Sequence, residues 1–232
     1  YIAVPINVDL HENDVSYILE VAKLDLLIYS NNSEGLFKSI PEEIPPLIGI
    51  LEDNELIIDE YRFSRIREKV ALDPQSSEIK IDASDLCSLH FTSGTTARPK
   101  GVFHSASSLL TSALEFNKAV SMNHTDRIYH IFSMAYMAGF LNTLICPFLA
   151  GGCVVLGKPF TARTALTFWK PIINNQVNRL WLVPSILQML LKIDRSQEGK
   201  DWSKTSISSV LVGTAPLSKK VKLAFQERYA TT

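Results

Sequence analysis

The sequence predicts an α/β protein made of two layered α/β subdomains with largely parallel sheets. Short apolar runs typical of buried strands alternate with helix-like stretches along the 232 residues, and a second cycle of this alternation begins near Asn123. Such alternation favours parallel sheets covered by helices. A content of 46% hydrophobic and 20% charged residues is ordinary for a globular protein.

In the first cycle, the helix predicted at residues 11–23 has Val15, Ile18, Leu19 and Ala22 on one face. The other elements follow from apolar or polar patterning. They are strands at 1–6, 26–29, 47–51 and 86–91, a polar helix at 59–69, an irregular connection at 72–85 and a helix at 106–119.

In the second cycle, a proline at the first helical position predicts a helix that begins at Pro184. The remaining elements alternate in the same way. They are strands at 128–132, 153–156, 179–183 and 207–212, helices at 137–149, 162–174, 184–192 and 219–229, and a polar stretch at 194–205 with no assigned element.

The charge and the cysteines narrow the function classes. A net charge of −1 gives no electrostatic reason to expect nucleic acid or an anionic membrane as a partner. Cys87, Cys146 and Cys153 are odd in number, lack CxxC spacing and lie in apolar runs. They are therefore interpreted as buried free thiols in a reducing compartment, which favours the cytoplasm. The chain begins without methionine and is interpreted as a piece of a longer protein, so a leader cannot be assessed.

The segment from Ile128 to Gly157 contains no Asp, Glu, Lys or Arg and raises the question of a membrane span. Asn142, Pro147 and the Gly151-Gly152 pair divide it. A buried helix followed by a buried strand is therefore favoured, and a single spanning helix is the alternative.

The stretch from Thr92 to Gly101, with sequence TSGTTARPKG, contains four hydroxyls, two cations and two glycines. Backbone N–H groups and hydroxyls of such a loop can surround phosphate oxygens, while Lys100 supplies a positive charge. A solvated turn is the alternative interpretation. The loop is not a Walker A motif, because five residues separate Gly94 from Lys100 and no hydroxyl follows the lysine.

The order of these residues resembles the phosphate-loop signature of the adenylate-forming enzymes, such as acyl-CoA synthetases and peptide-synthetase adenylation domains. Nine of the ten positions match, and Ala97 replaces the usual glycine. If that position requires a positive φ, alanine strains the loop by about 1 kcal/mol. The resemblance implies that ATP phosphates contact the hydroxyls, the glycine and the cation of this loop, namely Thr92, Ser93, Gly94, Thr95, Thr96 and Lys100.

The resemblance covers the whole chain and implies part of the family's large N-terminal domain. Val4-Pro5-Ile6-Asn7 resembles its opening strand. The family's subdomain boundary then falls near residues 120–126, which gives subdomains at 1–122 and 123–232.

The segment Ser133–Phe140 resembles the family's Pro-Leu-Phe-His-x-x-Gly segment. The resemblance implies that Tyr136, Met137 and Gly139 border the acyl group, whereas without it Tyr136 reads as a core tyrosine. Peptide-synthetase domains hold the substrate ammonium group with an aspartate near this point, and no acidic residue occurs between Asp126 and Asp194. An uncharged pocket that includes Met134, Phe140 and Leu141 suits a fatty or aromatic carboxylate.

Two further segments resemble the family. Trp181–Ser185 resembles a strand at the floor of the acyl site, although a buried strand before a helix explains it equally well. Residues Gly213, Thr214, Ala215 and Pro216 resemble the turn that lies against adenine, with Thr214 in place of a glycine; a plain strand–helix connection is the alternative.

Metal and acid–base candidates are few. His104 is interpreted as a helix-start or surface histidine, and the histidines and cysteines lack ligand spacing, so no metal site is expected from this chain alone. The resemblance implies a magnesium-binding carboxylate and a catalytic lysine beyond residue 232. No catalytic residue is therefore assigned within this chain.

The resemblance implies ATP-dependent conversion of a carboxylic acid to an acyl-adenylate, then a thioester with CoA or a carrier thiol, with an acyl carrier protein as a candidate partner. The piece alone is expected to be inactive. The alternative is a catalytically silent nucleotide-binding module of the same fold.

Overall fold

A computed structural model describes residues 1–30, 82–92 and 98–231, and the backbone of strands at 47–52, 55–58 and 61–63. The chain forms two compact units, Tyr1–Ala106 and Ser107–Thr232. The subdomain boundary at 122–123 stays a prediction, and helix α2 (Ala106–Ala119) begins where the first unit ends.

The first unit opens with helix α1 (Glu12–Ala22), which begins where the His11 side chain accepts a hydrogen bond from the Asn13 amide. Val15 and Leu19 of this helix pack with Leu27. The following four-stranded sheet has the order β1-β2-β3-β4, with β1 and β2 parallel and the other neighbours antiparallel; its strands are β1 (Leu26–Ser30), β2 (Leu47–Glu52), β3 (Glu55–Ile58) and β4 (Tyr61–Phe63).

Two predictions in this unit are wrong. The helix expected at 59–69 is strand β4 over Tyr61–Phe63, and its remaining residues lie outside the described part. The strand expected at 1–6 is a single parallel bridge between Ala3 and Ser88. Pro5 explains the short pairing, because a proline has no N–H for the next position of the ladder.

Strands β5 (Leu86–Thr92) and β6 (Lys100–Ser105) form an antiparallel hairpin. The sequence predicts β5 but not β6, since no element was predicted between the Thr92–Gly101 loop and the helix at 106–119. The loop instead connects two hydrogen-bonded strands, and α2 follows β6.

The second unit is built on a parallel sheet of order β10-β9-β7-β8, which confirms the predicted mixed α/β fold with a parallel sheet. Its strands are β7 (Arg127–His130), β8 (Cys153–Leu156), β9 (Arg179–Leu182) and β10 (Ser209–Val212). The helices after α2 are a π-helix (Ala138–Ile145), α3 (Cys146–Leu149), α4 (Ala162–Ala165), α5 (Trp169–Asn174), α6 (Pro184–Ile193), α7 (Gln197–Ser206) and α8 (Lys219–Tyr229).

Three helical regions of this unit differ from what the sequence predicted. Residues 137–149 form mainly a π-helix, and the helix expected at 162–174 is split into α4 and α5. Pro171 explains the split, because within one continuous helix its ring would clash with the carbonyl four residues earlier. Helix α7 was not predicted; its buried residues are the small Gly199 and Ser203, which give no apolar pattern.

The sheet of the second unit has apolar clusters on both faces, since successive strand residues point to opposite sides. Ile128 packs with Ala113, Met122 and Cys146. The other face carries a larger cluster: Tyr129, Ile131, Phe168, Trp169, Ile172, Val177, Leu180, Leu182, Ile186, Leu187, Leu190, Phe225 and Tyr229.

The buried carboxylate of Asp194 lies beside this larger cluster. It accepts hydrogen bonds from Tyr229 Oη at 2.6 Å and from Trp169 Nε1 at 3.2 Å. Burial, with a contribution from the Asp194 hydrogen bond, raises the pKa of Tyr229 to about 12, so its hydroxyl stays protonated as the donor.

The apolar segment between Ile128 and Gly157 is divided among strands, the π-helix and α3. In the described part of the chain, no helix is both long and apolar enough to cross a membrane. All three cysteines are free. Cys146 is buried, which raises its pKa to about 11, whereas Cys87 and Cys153 are half-buried, so the expectation of burial holds fully for one thiol.

A buried ion pair joins the amino ends of β7 and β9. Asp126 Oδ2 lies 3.2 Å from Arg179 Nη2, and the two side chains are 4% and 7% exposed. Arg179 Nη1 also donates to the Val120 carbonyl at 2.8 Å. Replacing Arg179→Met leaves the Asp126 charge buried without its partner, so we expect the free energy of unfolding to fall by about 3–5 kcal/mol. Urea unfolding followed by tryptophan fluorescence measures it.

The matched control is Lys118→Met. Lys118 pairs with Glu115 at 2.6 Å, but the two side chains are 72% and 65% exposed. This pair should contribute less than about 1 kcal/mol. Similar small losses for both variants would contradict a structural role for the buried pair.

Candidate functional site

The strand order of the parallel sheet points to a ligand position at the carboxyl ends of β7 and β9. From β7 the chain continues to β8 on one side and then to β9 and β10 on the other, so the strand order reverses between β7 and β9. Open parallel sheets bind ligands at such a reversal, beyond the carboxyl ends of the strands.

The ladder between β7 and β9 is shorter than the ladder between β7 and β8. The β7–β9 ladder pairs Ile128 with Arg179 and Tyr129 with Leu180, whereas the β7–β8 ladder continues to His130 with Leu156. Residues 131–137 follow β7 and residue 183 follows β9 at this edge of the sheet.

The loop after β7 carries the predicted acyl-site residues Tyr136, Met137 and Gly139. The amide of Tyr136 donates to the Ser133 carbonyl at 3.1 Å, and the Tyr136 carbonyl accepts from Gly139 N at 2.8 Å and Phe140 N at 2.9 Å. The Tyr136 side chain is 43% exposed, so it is not a core tyrosine of this structure.

Gly139 is the second residue of the π-helix and stands where no larger residue fits. A Cβ atom there would overlap the carbonyl oxygen of Ser133 and lie 3.2 Å from Phe132 Cβ. Only a glycine therefore lets the beginning of the helix approach Ser133 this closely. The match of Gly139 to the family glycine therefore has a steric reason.

The predicted adenine turn, Gly213–Pro216, directly follows β10 at the same edge of the sheet. The Gly213 amide donates to the Leu182 carbonyl at 3.3 Å. Thr214 has a φ of 71°, in the left-handed region that a β-branched residue rarely adopts. Thr214, Ala215 and Pro216 are exposed, which leaves their main chain accessible to a flat ligand.

Trp181 of β9 lies beside the predicted adenine turn, a contact that the sequence did not reveal. A Cβ atom on Gly213 would lie 2.9 Å from Trp181 Cζ2, and the indole lies 5.5 Å from the Phe116 ring between centroids. Its Nε1 is buried and has no hydrogen-bond partner among the residues described. A donor in this position is suited to an oxygen atom of a ligand. The position of Trp181 within the segment Trp181–Ser185 was the available signal.

The predicted phosphate loop begins and ends in the first unit, at the turn end of the β5–β6 hairpin. Thr92 and Lys100 are paired in register, and Thr92 Oγ1 donates to the Lys100 carbonyl at 3.4 Å. Both side chains are exposed. Ser93, Gly94, Thr95, Thr96 and Ala97 lie outside the described residues, so the strain at Ala97 stays a prediction.

Two neighbours support this end of the hairpin. The Arg98 guanidinium lies 5.3 Å from the centroid of the Tyr17 ring on α1, in a cation–π contact. A Cβ atom on Gly101 would lie 2.9 Å from Leu89 Cδ1, which explains a glycine at this strand position.

His104 lies inside β6 opposite Ser88 and is half-buried, so the prediction of a helix-start or surface histidine is wrong. Its ring makes an edge contact with His90 at 5.6 Å between centroids. Within the described ranges, no three His, Cys, Asp or Glu side chains are grouped to hold a metal ion.

Replacing Thr214→Gly should stabilise the protein. Glycine removes the left-handed strain of about 1–2 kcal/mol but increases the entropy of the unfolded chain, so we expect a net gain of about 0.5–1 kcal/mol. Thermal unfolding should show a higher midpoint. Thr205→Gly within helix α7 is the control and should lower it. A lower midpoint for Thr214→Gly would show that the Thr214 side chain compensates for its backbone conformation.

The profile of the AMP-binding enzyme family matches residues 1–232 of this chain. The long-chain-fatty-acid–CoA ligase FadD13 of Mycobacterium tuberculosis is 27% identical over 197 residues, which cover 85% of this chain and 37% of that protein. A dimodular nonribosomal peptide synthase of Bacillus subtilis is 25% identical over 187 residues, which cover 81% of this chain and 7% of that protein. The chain thus spans well under half the length of these curated relatives.

Solved structures show the same fold. The N-terminal domain of FACL13 from Mycobacterium tuberculosis superposes with a TM-score of 0.80 at 22% identity, covering 97% of this chain and 54% of that one. MatB from Rhodopseudomonas palustris superposes with a TM-score of 0.76 at 16% identity, covering 99% of this chain and 43% of that one. The chain therefore belongs to the AMP-binding enzyme family, whose profile it matches from end to end.

Proposed function

We propose that this chain is the ATP- and acid-binding part of an AMP-forming acid–thiol ligase. The observation that carries the proposal is that the Ser133–Gly139 loop and the Gly213–Pro216 turn follow β7 and β10 at the same edge of one parallel sheet. An exposed turn of small residues at the same edge as an uncharged loop suits a nucleotide next to a carboxylate.

The proposed reaction has two steps. A carboxylate oxygen attacks the α-phosphorus of ATP, the bond to the β-phosphate breaks, and pyrophosphate leaves with an acyl-adenylate remaining. A thiol of CoA or of a carrier protein then attacks the acyl carbonyl, and AMP leaves as the thioester forms. Catalysis of such steps is mainly positioning and charge stabilisation.

Nucleotide binding is assigned to two segments. Thr92, Ser93, Gly94, Thr95, Thr96 and Lys100 contact the β- and γ-phosphates, and Gly213, Thr214, Ala215 and Pro216 contact adenine. The exposed Lys100 at the turn end of the hairpin suits an anion, and the exposed turn suits a base. Magnesium, which neutralises phosphate charge, needs a carboxylate that we assign outside residues 1–232.

A fatty or aromatic carboxylate is the proposed substrate. Residues 127–193, which include the loop after β7 and all of β9, contain no Asp or Glu to pair with an ammonium group. Tyr136, Met137 and Trp181 offer apolar and aromatic surface instead. Relatives named as long-chain-fatty-acid and 4-coumarate CoA ligases support this class, whereas the peptide-synthase relatives represent the competing one. The three free cysteines support a cytoplasmic location.

Carboxylate-dependent ATP–pyrophosphate exchange by the native protein that contains this chain tests the function. Removing the Lys100 charge should lower the exchange rate, because that charge is proposed to stabilise phosphate oxygens. We expect a loss of about 100-fold for Lys100→Ala, comparable to removal of one transition-state donor.

Lys118→Ala is the matched control, since Lys118 is an exposed lysine on α2 paired with Glu115. It should leave exchange unchanged. Exchange that is equally insensitive to Lys100→Ala would contradict the assignment. ATP binding without exchange for any carboxylate would instead support the silent nucleotide-binding module.

A second prediction concerns the size of the acyl pocket. Trp181→Ala removes the indole and leaves its volume empty beside Gly213. We expect the ratio of kcat/KM for a long-chain over a short-chain carboxylate to rise by about tenfold, the scale that a few methylenes contribute. Initial rates of exchange with a series of straight-chain acids measure it. An unchanged chain-length profile would place the acyl group away from Trp181.

A further inference from the structure

One buried side-chain hydrogen bond links the strand before the loop that carries Tyr136 and Met137 to the helix after that loop. Strand β7 ends at His130, the loop runs from 131 to 137, and the π-helix occupies Ala138–Ile145. His130 Nδ1 lies 2.6 Å from Thr143 Oγ1, across this loop. Thr143 is fully buried and His130 is 5% exposed.

Thr143 also contacts the beginning of its own helix. Its Oγ1 lies 3.1 Å from the Ala138 carbonyl oxygen and 3.2 Å from the Gly139 carbonyl oxygen. A threonine hydroxyl has one proton and two acceptor positions. If the hydroxyl shares its one proton between these two carbonyls and accepts a hydrogen bond from His130 Nδ1–H, all three contacts are satisfied at once.

The histidine is suited to this arrangement. Burial lowers the pKa of His130 below its usual value, so its ring is neutral at pH 7 and carries one N–H. Placing that proton on Nδ1 gives the short contact to Thr143 a donor. The opposite arrangement, with the hydroxyl donating to Nδ1, leaves the two carbonyl contacts without a proton.

The π-helix connects the His130–Thr143 contact to Tyr136, the predicted acyl-site residue. A π-helix has a wide turn and is commonly found at functional sites. The carbonyls that Thr143 contacts belong to its first two residues, and Gly139 N donates to the Tyr136 carbonyl at 2.8 Å. A short series of hydrogen bonds thus runs from β7 through Thr143 and Gly139 to Tyr136.

We propose that His130 and Thr143 form a clamp that positions Tyr136 and Met137 against the acyl group of the substrate. The two are positioning residues, and the proposal rests on the function proposed above. Without the clamp, the loop keeps its backbone hydrogen bonds, the bond from the Ala135 amide to Ser133 Oγ and the Phe132–Tyr136 ring contact. It loses the side-chain link between β7 and the π-helix, and the fit of the carboxylate is lost before the fit of ATP.

The test compares Thr143→Val with Thr143→Ser in the native protein. Valine has nearly the same shape but no hydroxyl, whereas serine keeps the hydroxyl. Thr205→Val is the matched control, because Thr205 Oγ1 makes a similar bond to the Asp201 carbonyl at 2.9 Å on an exposed helix. Steady-state ATP–pyrophosphate exchange gives separate KM values for the carboxylate and for ATP.

For Thr143→Val we expect the KM for the carboxylate to rise by about tenfold, because a buried donor loses its acceptor. The KM for ATP should stay within about twofold of the wild type, and Thr143→Ser and Thr205→Val should behave as the wild type in both. An unchanged carboxylate KM, or equal increases in both KM values, would overturn the positioning role.

A second measurement judges the clamp without any activity. NMR of isotope-labelled histidine, with the His130 signal assigned by its loss in His130→Gln, should show a neutral ring protonated at Nδ1 in the wild type and in Thr143→Ser. In Thr143→Val the Nδ1 proton should exchange faster with water or move to Nε2. A wild-type ring protonated at Nε2 would overturn the clamp. Wild-type protein without exchange but with this NMR signature would separate failure of the proposed function from failure of the clamp.

Discussion

The buried ion pair between Asp126 and Arg179 sets the geometry on which the candidate site depends. It lies at the amino ends of β7 and β9, where the Arg127 amide also donates to Asn178 Oδ1 at 2.7 Å and the Asn178 amide donates to the Arg127 carbonyl at 3.1 Å. The two strands are thus held together at their amino ends. Since charges this deeply buried are stable as a pair and costly apart, the amino ends cannot separate without a large loss of stability. The pair therefore fixes the spacing of the two strands whose carboxyl ends lead into the segments with the candidate site residues.

Close packing against glycine recurs in two of the candidate site segments. Gly139 lets the π-helix approach the Ser133 carbonyl, and Gly213 lets the end of β10 approach the Trp181 indole. Each contact brings backbone to within van der Waals distance of a neighbour, which any side chain at these positions would prevent. Thr214 contrasts with both, because it holds a positive φ where a glycine would be relaxed. Strain at the turn proposed to seat adenine is a place where stability is given up for geometry.

Several elements could be predicted from the sequence because their patterns were strong. Residues 106–119, 153–156 and 219–229 form the expected elements with the expected bounds. The π-helix could not be distinguished from an α-helix, since Ala138–Ile145 is apolar on nearly every side and shows no period. Helix α7 was missed because glycine and serine form its buried face, and the break before α5 required attention to Pro171. Strand β6 was missed because Lys100 and Gly101 at its start resemble loop residues.

The site residues show a different limit of sequence reasoning. Tyr136, Gly139 and the Gly213–Pro216 turn were predicted as site residues through resemblance to family motifs, and the structure adds a steric reason for Gly139 and for Gly213. His130 and Thr143 belong to no motif and are thirteen positions apart, so nothing in the sequence pairs them; the fold does, because β7 and the π-helix lie side by side. A residue that contacts ligand can be recognised by type and order along the chain. A residue that positions another can be recognised only through distances, burial and the count of protons available to each contact.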